Sequence, residues 1–203
     1  MNNFFRSLKF QFLGVFFLGA MSSSSIYIIS KLSFNGADKR AELSRYENVL
    51  RSDLEGFNKK YGVELKLVRK KEQLILRLWD DQVFSINDWS ISMRGQKLIE
   101  EISATLQKID KDVNFEISGH YDSIDPRVGG EEKVNKVAIT THRAAQAAGI
   151  LAGHGLDMNR IYIKGYGDTK PLFKDRDQYG QYVAQAGELN RRLEIRVLQR
   201  AGL

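Results

Sequence analysis

An α+β fold is predicted: an α/β sandwich in which a mixed β-sheet is covered by helices, preceded by a single N-terminal transmembrane helix. Three observations predict it. Short segments with apolar residues at every second position recur after residue 61. Segments with apolar residues three or four apart stand between them, and strand–helix–strand–helix–strand order builds a sheet with helices packed on it. Finally, Phe10 to Ser30 is a run of 21 residues without a charge, flanked by Lys9 and Lys31.

A helix of that length spans about 30 Å, the thickness of a bilayer's hydrocarbon core. Its first half is strongly apolar, from Phe10 through Leu18. Ser22 to Ser25 then interrupt it before Ile26, Tyr27, Ile28 and Ile29 resume. Arg6 and Lys9 on the short N-terminal side favour a cytoplasmic N-terminus and an exported remainder. A secretory signal is the competing reading, with Ala20-Met21-Ser22 as a small-x-small cleavage site. The return of apolar residues after the serines favours the uncleaved anchor, and both readings place the rest of the chain outside the cytoplasm.

The expected organisation is a cytoplasmic tail over 1–9, an anchor over 10–30, a helical linker over 31–60 and a domain over 61–203. In the linker, Leu43, Tyr46, Leu50, Leu54 and Phe57 have helical spacing within Lys39–Lys60. That helix is either a dimerising stalk or a helix lying on its own domain. The alternating segments Val63–Leu67 and Leu74–Trp79 predict a hairpin. Leu98, Ile99, Ile102, Leu106 and Ile109 predict a helix, and Val113, Phe115 and Ile117 a strand ending at Gly119. Val137, Thr141, Ala144, Ala145, Ala148 and Leu151 mark a second helix, stopped by Gly153 and Gly155. Ile161 and Ile163 make another strand, and Leu193, Ile195 and Val197 the last. The polar stretch Lys174–Gly187 is expected as a surface loop or short helix. Both prolines, Pro126 and Pro171, fall in predicted loops.

Composition excludes several chemistries. There is no cysteine, hence no disulfide, thiol catalysis, cysteine-ligated zinc or lipid attachment on cysteine. The net charge of +6 is not a nucleic-acid signal once located. Residues 1–31 carry three basic groups and no acid, 32–73 ten basic and seven acidic, and 74–203 eighteen of each. The presumptive domain is neutral, so no nucleic-acid partner is expected.

Four blocks resemble, in order, the OmpA-like, MotB-type C-terminal peptidoglycan-binding domain. Phe115-Glu116-Ile117-Ser118-Gly119-His120-Tyr121-Asp122-Ser123 is similar to that family's G-H-T-D-S strand end. Thr141-His142-Arg143-Ala144 is similar to the R-A that opens its second helix. Ile161 to Pro171 contains Gly165-Tyr166-Gly167 and is similar to G-Y-G-x-x-x-P, and Asn190-Arg191-Arg192-Leu193-Glu194-Ile195 to N-R-R-V-E-I. With a MotB-like lead-in from Leu74 to Phe84, the resemblance covers roughly 65–199. It implies a periplasmic domain of a single-pass inner-membrane protein, held in the membrane by residues 10–30, that binds the diaminopimelate-type stem peptide of peptidoglycan. It assigns Asp122 to the ligand's ammonium and Arg143 to its carboxylate. The planar guanidinium fork suits a carboxylate, and a rigid sheet and helix would hold both groups. Asn190 and Arg191 are placed along the same cleft, with Tyr121 and Ser123 beside Asp122. Without the resemblance, Asp122 and Arg143 read as a pair bonded to each other.

The sequence departs from the pattern twice. Tyr121 replaces the usual threonine and either stacks on a sugar or covers the strand end. The loop from Ser123 to Asn135 is long, and Asn135 is the nearest residue to the family's asparagine before the second helix. A dimer and a membrane-complex partner are further expectations of the resemblance and the linker helix.

Two rival readings fare worse. His120, Asp122, His142 and His154 are zinc-ligand types, but His120-x-Asp122 lacks the helical i, i+4 spacing and His154 lies between glycines at a helix end. No G-x-S-x-G, S-x-x-K or phosphate-cradling glycine loop appears, so a non-catalytic domain without cofactor or metal is expected. A proton-driven stator subunit needs a carboxylate within the membrane. Phe10 to Ser30 has none, so no ion conduction by this chain alone is expected. A family domain that has lost its ligand and binds protein stays open.

Overall fold

The computed structural model describes residues 23–85, 89–125, 127–128, 132–133 and 135–198. The expected tail over 1–9, most of the 10–30 anchor and the Ala20-Met21-Ser22 site lie outside the described residues. Among the described residues, no helix is long and apolar enough to cross a membrane.

The chain divides into two compact units, Met1–Glu42 and Leu43–Leu203. Helix α1 runs over Ser23–Tyr61. From Leu43 onward its apolar spacing has an evident cause: Leu43, Tyr46, Leu50 and Leu54 are buried members of the domain's core. Of the two readings of this helix, packing on its own domain is the one displayed. Polar contacts support it: the Tyr46 hydroxyl donates to Asp110 at 2.8 Å and Thr105 Oγ1 donates to Asp53 at 2.6 Å.

Strands β1 (Lys66–Lys70) and β2 (Gln73–Trp79) form the expected hairpin, with β1 starting later than the alternation suggests. Asn58 takes both backbone groups of Leu65, accepting from its N–H at 2.9 Å and donating to its carbonyl at 3.3 Å. Val63 and Leu65 are thereby buried ahead of the strand. A four-residue helix α2 (Asp80–Val83) follows, then α3 (Met93–Leu106), capped by Ser92 accepting from Gly95 N–H. Strand β3 is Asn114–His120, and Arg127–Val128 (β4) and Glu132–Lys133 (β5) pair antiparallel in the long loop. Helix α4 is Lys136–Gly153, β6 Ile161–Gly165, α5 Ala184–Asn190 and β7 Arg192–Leu198. The Lys174–Gly187 stretch thus resolves into a loop that runs into α5.

The main sheet has strand order β1-β2-β7-β3-β6. Only β3 and β6 run parallel; the other neighbours are antiparallel, which makes the expected mixed sheet. Alternation sends Leu74, Leu76, Leu78, Phe115, Ile117, Leu193, Ile195 and Val197 to one face. There they share one core with Leu98, Ile99, Ile102 and Leu106 of α3 and Ala144, Ala147, Ala148 and Leu151 of α4. The other face carries Arg77, Glu116, Ser118, His120, Arg192, Glu194 and Arg196.

Candidate functional site

Two glycines let α4 lie against the ends of β3 and β6. A Cβ on Gly119 would sit 2.2 Å from the Thr140 carbonyl oxygen, and one on Gly165 would sit 2.1 Å from Thr141 Oγ1. Neither contact is sterically possible, so glycine is required for this approach. Gly167, at φ +52°, turns the chain after β6, and its carbonyl accepts from Tyr121 N–H at 2.7 Å. Asn135 caps α4: its side-chain oxygen accepts from Val137 and Ala138 N–H at 2.8 and 3.2 Å. The helix therefore starts at Lys136 and Arg143 stands two turns inside it, not near its start as the sequence pattern suggested.

This packing brings together most of the expected site residues. Asp122, just beyond β3, is 1% exposed. Its carboxylate accepts from the Tyr182 hydroxyl at 2.7 Å, from Ile124 N–H at 3.2 Å and from Arg191 Nη1. Arg143, 6% exposed, donates from Nη1 to Asp80 Oδ1 at 2.6 Å. Its guanidinium lies over the ring of Phe84 at 4.3 Å and that of Tyr121 at 5.7 Å. Arg191 Nε stands 3.8 Å from Asp80 Oδ2. Each of the two expected partners thus has a countercharge of its own, in a line of alternating sign: Arg143, Asp80, Arg191, Asp122.

The electrostatics follow from burial and these neighbours. Burial pushes the Asp80 carboxyl above its ordinary pKa in spite of Arg143 and Arg191, and the nearby Asp81 and Asp122 charges add to the rise. Tyr182 is pushed up to about 12 by burial and by donating to Asp122. Burial would pull the Arg191 guanidinium down, but the Asp122 charge and hydrogen bond overcome it and hold Arg191 above its ordinary value. Tyr121 is raised, chiefly by burial.

Ser123 contributes its backbone N–H to Asp175 Oδ2 at 2.7 Å, while its carbonyl accepts from Lys136 Nζ at 2.9 Å. Ser123 Oγ is buried without a hydrogen-bond partner among the described residues. Asn190 is placed differently from expectation. It is 0% exposed, and its side chain accepts from Leu172 and Phe173 N–H at 2.8 and 3.1 Å and donates to the Phe173 carbonyl at 2.9 Å. It pins the loop after Pro171. Asp80 and Tyr182 are the members that sequence reasoning missed. Asp80 lies in the lead-in segment after β2 and Tyr182 in the polar stretch before α5, and nothing local marks either as a partner of residues 60 or more positions away.

Among the described residues, no group of three His, Asp or Glu side chains is placed to hold a metal ion. His120 is 3% exposed and stacks on Tyr166 with ring centroids 5.1 Å apart. His142 contacts Trp89 edge-on at 5.9 Å, and His154 Nδ1 bonds the Ile150 carbonyl at 2.9 Å. The three imidazoles are thus engaged in separate places.

A family model described as the OmpA family matches residues 83–184. Outer membrane protein A of Bordetella avium is 27% identical over 118 residues, which is 58% of this chain and 54% of that protein. The chain therefore spans about half the length of that curated relative. Among solved structures, a putative MotB-like protein from Desulfovibrio vulgaris superposes with a TM-score of 0.65 at 16% identity, covering 81% of this chain and 97% of that one. The cell wall anchor of the T6SS from Pseudomonas aeruginosa gives a TM-score of 0.57 at 21% identity, covering 75% and 96%. At these identities the two structures share the fold with this chain.

Proposed function

This chain belongs to the OmpA family, and from that premise we propose that residues 61–203 bind peptidoglycan without catalysing a reaction and fasten an inner-membrane protein or envelope machine to the cell wall. The observation that carries this reading is the line of alternating charge from Arg143 through Asp80 and Arg191 to Asp122. A zwitterion enters such a line by exchange. Its ammonium takes the place of Arg191 on the Asp122 carboxylate, and its carboxylate takes the place of Asp80 on the Arg143 fork. A diaminopimelate-type stem peptide carries that pair of charges. The Tyr121 and Phe84 rings flank Arg143 and fix its plane, which lowers the cost of ordering it around a ligand.

The wall-anchoring role is supported by the likeness to a MotB-like protein and to a secretion-system wall anchor. In this reading residues 10–30 hold the chain in the inner membrane, residues 1–9 are cytoplasmic, the domain is periplasmic and the chain works as a dimer or with a membrane-complex partner. One observation favours a second reading, a MotB-like stator or secretion-system component whose domain acts mainly on protein. Asp122 Oδ2 already accepts from both Arg191 and Tyr182 within the chain.

Co-sedimentation of the full-length chain with purified insoluble peptidoglycan separates them. Wild type is expected in the pellet, with Asp122→Ala and Arg143→Ala retained about tenfold less, since each removes a charge-assisted bond. Asp80→Asn is expected to pellet about threefold better, because Arg143 loses an internal competitor for the ligand carboxylate. A folded wild type that stays in the supernatant overturns the peptidoglycan reading and favours the protein-interaction one.

A further inference from the structure

The sheet face opposite the helices carries a cleft of about 760 Å³ that shares no lining residue with the Asp122 cluster. Its floor is ionic. Glu194 accepts from Arg77 Nε and Arg192 Nε, both at 2.9 Å, and Arg196 Nη1 reaches Glu116 at 2.9 Å. Arg192 and Glu194 are 3% and 2% exposed, so these groups sit in fixed positions. One wall is fixed too. The Lys170 carbonyl accepts from Arg192 Nη2 at 3.1 Å, and the buried Asn190 holds Leu172.

Charge in the cleft does not balance. The lining carries three guanidiniums and the ammoniums of Lys70, Lys71 and Lys170 against Glu72 and Glu194, and Glu116, the further carboxylate on this face, is shared between Arg196 and Lys164. The three lysines are exposed and have no ion-pair partner among the described residues. Two buried nitrogens of lining residues, His120 Nδ1 and Arg196 Nε, also lack a hydrogen-bond partner among the described residues. An unmatched buried Arg196 Nε–H is costly, and His120 Nδ1 donates as well in one of the two imidazole tautomers, so the floor fits an incoming acceptor. We propose that this cleft binds a small ligand through an oxyanion group, phosphate or carboxylate, received by Arg196 and His120 on the floor and by Lys70 and Lys170 at the rim.

The site stands whether or not the domain holds peptidoglycan, and its test is independent. The full-length chain in non-ionic detergent is titrated with pyrophosphate and, separately, with citrate, following the arginine Nε–Hε resonances. Saturable binding that moves the Arg196 resonance is expected, weakened about threefold by Lys70→Gln and by Lys170→Gln, and unchanged by Asp122→Ala. Response to pyrophosphate alone assigns phosphate, response to citrate alone assigns carboxylate, and equal responses assign recognition by charge. Both lysine variants lie on the exposed rim, so a preserved resonance pattern in the unliganded protein certifies folding. An Arg196 resonance unmoved by either anion at tens of millimolar overturns the proposal. So does binding of wild-type strength in the double variant.

Discussion

His120 is a titratable residue held where its charge is unwelcome. Burial, with the Arg192 charge beside it, lowers its pKa from 6.5 to about 3, against the opposing pull of Glu194. The folded chain therefore keeps the imidazole neutral in a range where the unfolded chain binds a proton. Protons bound by the unfolded state alone make stability rise with pH. The His120 contribution is complete above about pH 6.5 and is lost as pH falls from there toward about pH 3, at up to about 1.4 kcal/mol per pH unit. Urea unfolding of wild type between about pH 5 and 6.5 should show this slope, and His120→Gln should flatten it. The window lies above the range where Glu194 enters. That carboxyl resists the upward push of burial because Arg192 and Arg77 hold it below its ordinary value, so its own contribution is lost only at lower pH. An unchanged slope in the variant would place the acid sensitivity elsewhere.

At the scale of elements, the second half of α1 behaves as part of the domain. Leu50 is 1% exposed and belongs to the same core as Leu78 and Ile102. Leu50→Ala should cost about 2–5 kcal/mol in denaturant unfolding, from lost burial plus the cavity left behind. A helix standing free as a stalk would lose far less, so a change below about 0.5 kcal/mol would contradict the packing. The strands were legible in the sequence because their inward residues alternate and the helices because theirs recur at three or four. The start of β1 was not, because Asn58, seven residues before Leu65, decides it with two side-chain hydrogen bonds. Likewise the long loop hid its cap: Asn135 starts α4 and leaves Arg143 two turns in, where Gly119 and Gly165 allow the helix to approach.

For the whole molecule, the reading divides labour along the chain. The basic surplus and the uncharged run lie toward the N-terminus, while residues 74–203 are neutral overall. Deleting residues 1–30 should release the protein from membranes into the soluble fraction and leave its retention on insoluble peptidoglycan unchanged, because the Asp122 cluster lies wholly within the second compact unit. Fractionation and co-sedimentation of the same sample read both halves. Loss of wall retention on deletion would mean that the N-terminal part, by dimerising or by orienting the domain, is needed for binding.

Sequence alone specified the mixed sheet and its covering helices, and motif order drew attention to Asp122 and Arg143, because periodicity and motif order are local properties written in neighbouring residues. Which charges stand against which was decided only by the fold. Asp80 meets Arg143 across 63 positions and Asp122 meets Arg191 across 69, and both contacts exist only once β2, β3, α4 and β7 have come together. The same holds for Asn190, whose place in the motif suggested the cleft but whose amide satisfies the backbone of the loop after Pro171. A buried polar group must find partners wherever the packed chain supplies them. Those partners are set by tertiary geometry and leave no periodic trace in the sequence.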